Sequence, residues 1–590
     1  MVAPNTERKS KAIAGGSNRG RDLVSLLLGV GIVVLLNMAA SFVNWRADLT
    51  SEKRFTLTEE TEALMDSLPD KVFLRVYLAG ELPADLQHLS NSTRELLDEL
   101  RERSDGKLDY EFTDPNASPD KKTRDEVYED LTKQGLKYSS LHTEEKGGRT
   151  EQIIFPGALL TYRNKTIPVQ LLKTQYSVAD PEMVNRSVNN LEYEMASAVR
   201  QATSTFKPRI AFLEGHGELD DLQVKDVSNA LAELYDVGVA RVRIDSQLNA
   251  LSDKLEGAQY RTNNYDLLIV AKPDSVFNSK DQYVLDQFIM NGGKMLWLLD
   301  VMDPHLDSLR RNQFSIATPL ELGLEDMLFS YGVRLNTDLL LDKSCAFISI
   351  PTTPYGDQRR MEALPFFYEP IITPGAGHPI VKNIEPLHFR FVGSMDTIAN
   401  DSIRKTILLT TSPYTWLLRN PARVAMNRPD NAPPFERTTT PSLPVAVLLE
   451  GKFTSAFADR LSPDFKGNTE MRFREKGRRS AMLVVSDGDA IANRVDRTKG
   501  MYYTLGFDPT AQSKIFGNRE FIINAVNYLL NDKSLISIRN RSVALRQLDP
   551  ERSADDRSFW QVINVALPIG LSLAIGGLLH LLRRRRYAGS

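Results

Sequence analysis

An α/β ectodomain held between two transmembrane helices is the fold class that the sequence predicts, on three observations. Leu23 to Val43 and Val562 to Leu582 are 21-residue runs without Asp, Glu, Lys or Arg. Each is long enough to cross about 30 Å of hydrocarbon as a helix. Between them, strand-like runs alternate with segments of helical periodicity. The composition, 42% hydrophobic and 25% charged over 590 residues with a net charge of -3, is that of a globular chain of several domains. It excludes collagen-like and disordered classes, and no continuous basic surface is expected for nucleic acid.

The flanks of the apolar runs set an orientation. Arg8, Lys9, Lys11, Arg19 and Arg21 precede the first, and Arg583, Arg584, Arg585 and Arg586 follow the second. By the positive-inside rule both tails are cytoplasmic, with Trp45 and Trp560 anchored at the far interface. Cleavage of the first run as a signal peptide at Ala39, Ala40 and Ser41 is the alternative, although the run exceeds the ~7–15 residues of a signal core. Small residues recur at helical spacing, Ser25 and Gly29 in the first run, Gly570 and Ala574, then Ser572 and Gly576, in the second. Such spacing lets helix backbones approach closely in lipid, and it suits packing against another membrane protein.

The extracytoplasmic part opens with a helix capped by Thr56 or Thr58 and running through Leu64, Met65 and Leu68. Lys71 to Leu78 alternates as a strand, Asn91 to Arg103 has helical spacing, Lys107 to Thr113 is a second strand, and a charged helix covers Lys121 to Gln134. Gln152 to Tyr162 and Lys165 to Leu171 read as strands around a turn at Arg163-Asn164, and Asn185 to Thr205 as a helix. The order β-α-β-α-β-β-α is thioredoxin-like. The sole cysteine of the chain, Cys345, lies outside this stretch, so disulfide exchange is excluded there.

After Lys207-Pro208 a second pattern begins. Strands are expected at Arg209 to Leu213, Val239 to Ile244, Tyr265 to Ala271 and Lys294 to Asp300, with helices at Val224 to Leu234 and Ser279 to Met290. This alternation predicts a doubly wound parallel sheet. Residues 345–400, rich in Pro and aromatics, read as a loop-rich insertion with short strands. Strands resume at Thr406 to Thr410, Val445 to Glu450 and Ala481 to Ser486, and Asn518 to Leu530 is an amphipathic helix. Asn420 to Arg437 and Pro463 to Arg479 read as exposed, mobile loops. The expected division is a basic tail (1–22), a transmembrane helix (23–43), two ectodomains (44–205 and 206–545), a linker (546–561), a second transmembrane helix (562–582) and an Arg-rich tail (583–590).

Two loops that follow strands carry candidate chemistry. In Glu214-Gly215-His216-Gly217-Glu218 the acids and His216 suit a cation and the glycines admit a close backbone, but a turn with a hydrogen-bonded histidine explains the same residues. Asp487 and Asp489 suit acid-base work or a cation, against a common Asp-Gly turn with Asp489 capping a helix. Convergence of the two loops at one end of the sheet would make Glu214, Gly215, His216, Asp487 and Asp489 a ligand pocket. No cofactor or resident metal is expected. Gly292-Gly293-Lys294 is followed by Met295 and lacks phosphate-loop spacing, so a partner must hydrolyse ATP in any transport reaction.

The segments KRFTLTEET (53–61), YLAGELPADLQHL (77–89), EGHGEL (214–219), YDLLIVAKP (265–273), LDQFIMNGGKMLWLLD (285–300), SDGDAIAN (486–493) and GNREFIINAVNYLL (517–530) resemble the GldG family. Its members are gliding-motility-associated, membrane-anchored auxiliary proteins of a bacterial ABC transporter. The resemblance implies an inner-membrane protein with a periplasmic ectodomain, a permease and a cytoplasmic ATPase as partners, and no established catalytic residues. It implies also that the second ectodomain is like class I glutamine amidotransferases. That chemistry needs a thiolate at a strained turn after a strand, and Ala271-Lys272-Pro273-Asp274 offers neither cysteine nor serine there.

Three functions follow from these features. The first is a non-catalytic transporter subunit that docks on a permease through its helices and binds substrate or envelope partners with its ectodomain. The second is a structural adaptor of an envelope motility or secretion machine, without a small ligand. A membrane-tethered hydrolase using the acidic loops is the third.

Overall fold

The computed structural model describes residues 57–530 and 557–587, apart from short loop segments that include 173–180 and 352–360, together with scattered positions from 24 to 38. Ser25 and Trp45, the N-terminal basic tail (1–22) and residues 588–590 lie outside the described residues.

Thr58 starts the first helix, α1 (Glu59–Asp66), by accepting from the Thr61 amide at 3.3 Å. Strand β1 (Val72–Val76), helix α2 (Ala84–Arg103), strand β2 (Leu108–Phe112) and helix α3 (Lys121–Lys133) follow. A hairpin of β3 (Ser139–Glu145) and β4 (Gly148–Ile154) precedes β5 (Gly157–Tyr162), β6 (Lys165–Gln170) and α4 (Pro181–Thr203). The sheet order is β2-β1-β5-β6, with β1 and β2 parallel and the other pairs antiparallel. Leu86, Leu89, Leu97 and Leu100 of α2 and Leu191, Met195 and Val199 of α4 pack on Leu74, Val76 and Leu160.

Two expectations here need correction. The run 152–162 is broken at Phe155-Pro156, and its first part pairs with β3, a strand hidden by its polar sequence SSLHTEE. Helix α2 starts at Ala84 rather than Asn91, because Leu86 and Leu89 extend its buried stripe through a polar stretch.

The second sheet has seven strands. In chain order they are β7 (Ile210–Glu214), β8 (Ala240–Arg243), β9 (Leu267–Ala271), β10 (Lys294–Leu298), β14 (Ile403–Thr410), β15 (Pro444–Thr454) and β16 (Lys476–Val485). Their spatial order is β14-β15-β16-β10-β9-β7-β8. The five strands from β16 to β8 are parallel, and β15 and β14 add an antiparallel edge. Helices α5 (Lys225–Tyr235) and α8 (Asn518–Leu529) cover one face, where Leu231 and Phe521 meet Ile269, Leu296 and Leu483. The other face is covered by α6 (Ser279–Met290) and α7 (Glu325–Tyr331), where Leu285, Phe288 and Leu328 meet Val270, Trp297 and Val484. Burial on both faces explains why β9 and β10 are continuously apolar rather than alternating.

The insertion is more ordered than its sequence suggests. Between β11 (Asp338–Asp342) and β14 the chain forms an antiparallel ribbon of β12 (Cys345–Pro351) and the 12-residue β13 (Met361–Ile372). Its aromatic residues Phe366, Phe367 and Tyr368 are core rather than loop. The segments read as mobile loops also contain structure: a strand at Ala422–Ala425, a short helix at Pro463–Lys466 and the first half of β16.

Helix α9 (Arg557–Tyr587) contains Phe559–Leu582, the one helix among the described residues long and apolar enough to cross a membrane. The described positions of the first apolar run, among them Gly29, are helical and exposed.

Buried Asp286 ties the α6 face together without a cation. Its Oδ1 accepts from Tyr331 Oη at 2.7 Å and the Ala456 amide at 2.8 Å, and its Oδ2 from Ser455 Oγ at 2.7 Å. Asp286→Ala leaves these donors unpaired in a dry environment, and a loss of about 3 kcal/mol is expected in denaturant titration.

Candidate functional site

Glycine geometry shapes the turn after β7. Gly215 and Gly217 have φ of 118° and 76°, and a Cβ on Gly217 would fall 1.7 Å from Asp274 Oδ1. The tight approach lets the His216 carbonyl accept the Asp274 and Ser275 amides at 2.9 and 3.0 Å, joining this turn to the one after β9.

His216 is turned inward. Its ring stacks on Phe277 with centroids 3.8 Å apart, its Nε2 lies 3.2 Å from Asp281 Oδ2, and its Nδ1 lies 3.4 Å from Glu218 Oε1. Burial opposes the imidazolium, but Glu218 and Asp281 outweigh it and hold the pKa above its ordinary value. Asp281 also accepts the Ser246 amide and hydroxyl, so the cluster clamps β7, the end of β8 and the start of α6. Glu214 points elsewhere, to an ion pair with Arg241 on β8. Among the described residues no three His, Cys, Asp or Glu side chains are placed to hold a metal ion.

Asp487 and Asp489 lie in a separate network at the same end of the sheet. Asp487 has no exposed surface, and its carboxylate accepts the Asp489 and Arg390 amides at 2.8 and 2.9 Å. Lys272, directly after β9, places Nζ 2.5 Å from Asp489 and 3.2 Å from Asp300, which follows β10. Asp300 accepts the Gly488 amide at 2.6 Å. Beyond it, Glu369 on β13 accepts from Arg390 Nε at 3.0 Å and lies 3.0 Å from His388 Nε2. At Asp487-Gly488-Asp489 the chain enters the short helix Gly488–Ile491, and Asp487, not Asp489, caps it.

Burial dominates the ionisation of this network. It raises Asp487 well above the usual carboxylate range, helped by repulsion from Asp489 and Asp300. It also raises Asp300 to about 6, despite Lys272. Burial works against Lys272 too, yet Asp489 and Asp300 hold its ammonium above the ordinary lysine value. In Asp489, Lys272 and Arg390 overcome burial and lower the pKa.

Lys272 has the left-handed backbone, φ 54°. A strained residue at a strand end is how hydrolase-type turns expose a nucleophile. Here the position holds an ammonium kept charged by two carboxylates, and a charged amine is not a nucleophile. The two candidate loops therefore share an end of the sheet in two separate side-chain clusters, which connect through residues 271–275. Lys272, Asp300, Glu369 and Arg390 were missed as site residues. The positions of Lys272 and Asp300 directly after apolar runs were their sequence signal, whereas Glu369 and Arg390 come from the insertion and had none.

Residues 207–525 match the model of a family described as an ABC-type uncharacterized transport system. The chain belongs to this family of ABC transporter auxiliary proteins. The matched region holds the whole seven-stranded sheet and both charged clusters of this auxiliary protein. A domain of unknown function (DUF7088) matches residues 51–161. An uncharacterized protein of Borreliella burgdorferi is 21% identical over 459 residues, 76% of this chain and 81% of that one. The solved mmIFT52 N-terminal domain is 12% identical and covers 54% of this chain and 97% of its own, at a TM-score of 0.29.

The pH dependence of the auxiliary protein's stability tests the network. Burial raises Glu369, but His388 and Arg390 prevail and bring it to about 2 from 4.5. A depressed carboxylate contributes stability that is complete above the unfolded value and is lost as the pH falls through the folded one. Glu369→Gln should therefore cost about 3 kcal/mol at pH 7, and the difference from wild type should fade between roughly pH 4.5 and 2 in denaturant titrations.

Proposed function

We propose that this ABC transporter auxiliary protein is a non-catalytic subunit anchored in a bacterial inner membrane, with both termini cytoplasmic and the ectodomain in the periplasm. The family match over the sheet carries the reading. Helix α9 supplies one anchor, and the first apolar run with its basic flank supplies the second. The class of machine is the gliding-motility or secretion-associated transporter of the GldG family, with a permease and an ATPase as partners. A thioredoxin-like layer without its cysteines and an amidotransferase-like sheet with Lys272 at the nucleophile turn fit a scaffold more readily than an enzyme.

Between substrate binding and adaptor work, the closed clusters favour the adaptor. His216 and Asp487 are each buried and held by neighbours within the chain, Asp281 for His216 and the Asp489 and Arg390 amides for Asp487, so a ligand would have to displace those contacts to reach them.

Isolation from native membranes should bring down a permease and an ATPase in fixed ratio with this chain. Their absence from gently solubilised preparations would sink the transporter reading. Gly570 and Gly576 of α9 have no heavy atom within 4 Å of a Cβ built on them, so a neighbouring helix could approach closely at either position. Gly570→Leu with Gly576→Leu should abolish permease co-isolation while leaving ectodomain unfolding unchanged.

A further inference from the structure

The N-terminal end of the seven-stranded sheet carries charge of the opposite sign. Between Glu470 and Arg479 lie Arg472, Arg474, Lys476, Arg478 and Arg479. Lys452 on β15 pairs in register with Arg479 on β16, two cations facing each other across the ribbon where repulsion is expected. Lys452, Lys476, Arg478 and Arg479 are exposed, and none forms an ion pair among the described residues. The acids nearby are committed: Glu450 to Arg404, Glu475 to Lys466 and Glu470 to Lys254. Arg474, only 7% exposed, stacks 3.7 Å from the Tyr260 ring centroid and leaves Nε without a hydrogen-bond partner. Burial and then repulsion from Arg478 lower its pKa.

The route of the chain says what lies near this end. Helix α8 starts at the acidic end, where Asn518 Nδ2 donates to the Ala490 carbonyl, and runs back along the sheet. It finishes beside the cations: Tyr528 Oη lies 3.1 Å from Glu450, two residues before Lys452. Glu450 and Lys452 share one face of β15 by strand alternation, the face that α8 covers. Residues 530–556 separate α8 from α9, the helix able to cross a membrane. The exposed cations thus lie at the end of the domain where α8 finishes, the last described stretch before α9.

We propose that this basic ribbon end, Lys452, Lys476, Arg478 and Arg479, docks on the anionic headgroups of the leaflet that α9 enters. The proposal rests on the anchor reading above. Lysine and arginine beside an anionic leaflet are attracted within a Debye length, so the contact is sensitive to lipid charge and to salt. Docking would relieve the Lys452–Arg479 repulsion and orient the sheet with its acidic end away from the membrane.

The test uses the full chain in nanodiscs of phosphatidylcholine alone or with roughly one-third phosphatidylglycerol, read by hydrogen-deuterium exchange of peptides from β15 and β16. Slower exchange of 450–456 and 474–480 is expected only with phosphatidylglycerol, and it should vanish at about 0.5 M NaCl, where screening is nearly complete. The variant Lys452→Gln, Arg478→Gln, Arg479→Gln should lose the protection, and Arg478→Lys with Arg479→Lys should keep it. Equal exchange in both discs, for a chain that remains embedded, overturns the proposal and leaves the anchor standing. Protection that appears only when a permease is added, whatever the lipid, assigns the ribbon to an acidic protein and also overturns it. Failure of the chain to stay in either disc overturns the anchor reading and this docking with it.

Discussion

Burial of both faces of the parallel sheet is the constraint from which the rest of the molecule follows. With α5 and α8 on one side and α6 and α7 on the other, strands β9 and β10 have almost no room for polar side chains. Each buried Leu, Ile or Val there contributes roughly 2 kcal/mol, and a charge in its place would cost more than it returns. Ionisable groups are therefore pushed to the strand ends. Lys272 follows β9 immediately, Asp300 lies two residues beyond the end of β10, and the basic ribbon lies at the opposite end.

At the acidic end the strand order determines what a ligand would find. The five parallel strands run 2-1-3-4-5 in chain order, so the sheet reverses direction between β7 and β9. In an open parallel sheet that is where a crevice opens for a ligand. Here the turn at Gly217 leans against Asp274, and the His216 carbonyl accepts the Asp274 and Ser275 amides, so the turns after β7 and β9 are tied together at that point. The neighbouring network is likewise closed by side chains brought from the insertion, Glu369 and Arg390. The end of the sheet is cross-linked by charge.

This division explains what could be read from the sequence. The sheet was legible because its strands are apolar and bounded by turns, and α6 was readable residue for residue from Ser279 to Met290. Strand β3 was not, because SSLHTEE is polar, pairs only with β4 and carries no apolar alternation to mark it as a strand. The ribbon of β12 and β13 escaped because its prolines and aromatics look like loop, whereas Phe366 and Tyr368 are buried by contacts distant in sequence. For the site, local spacing located Asp487 and His216, but their partners come from other elements. Asp281 lies 65 positions from His216, and Arg390 lies 97 from Asp487. Local sequence carries no record of such pairings.

The two ends of the sheet differ also in how firmly their charges are held. Asp489 is matched by Lys272 and Arg390 and partly shielded from water, so its interactions are little affected by salt. Lys452 and Arg479 face solvent opposite each other, where attraction to any anion is strong at low salt and weak at high salt. A rigid end and a salt-sensitive end on one sheet make an asymmetric body: the internal charge network preserves shape, and the external cations can choose an orientation. Under the proposed anchoring by α9, orientation relative to the bilayer would decide which surface reaches a membrane partner, and α8 links the two ends directly by running from Asn518 to Tyr528.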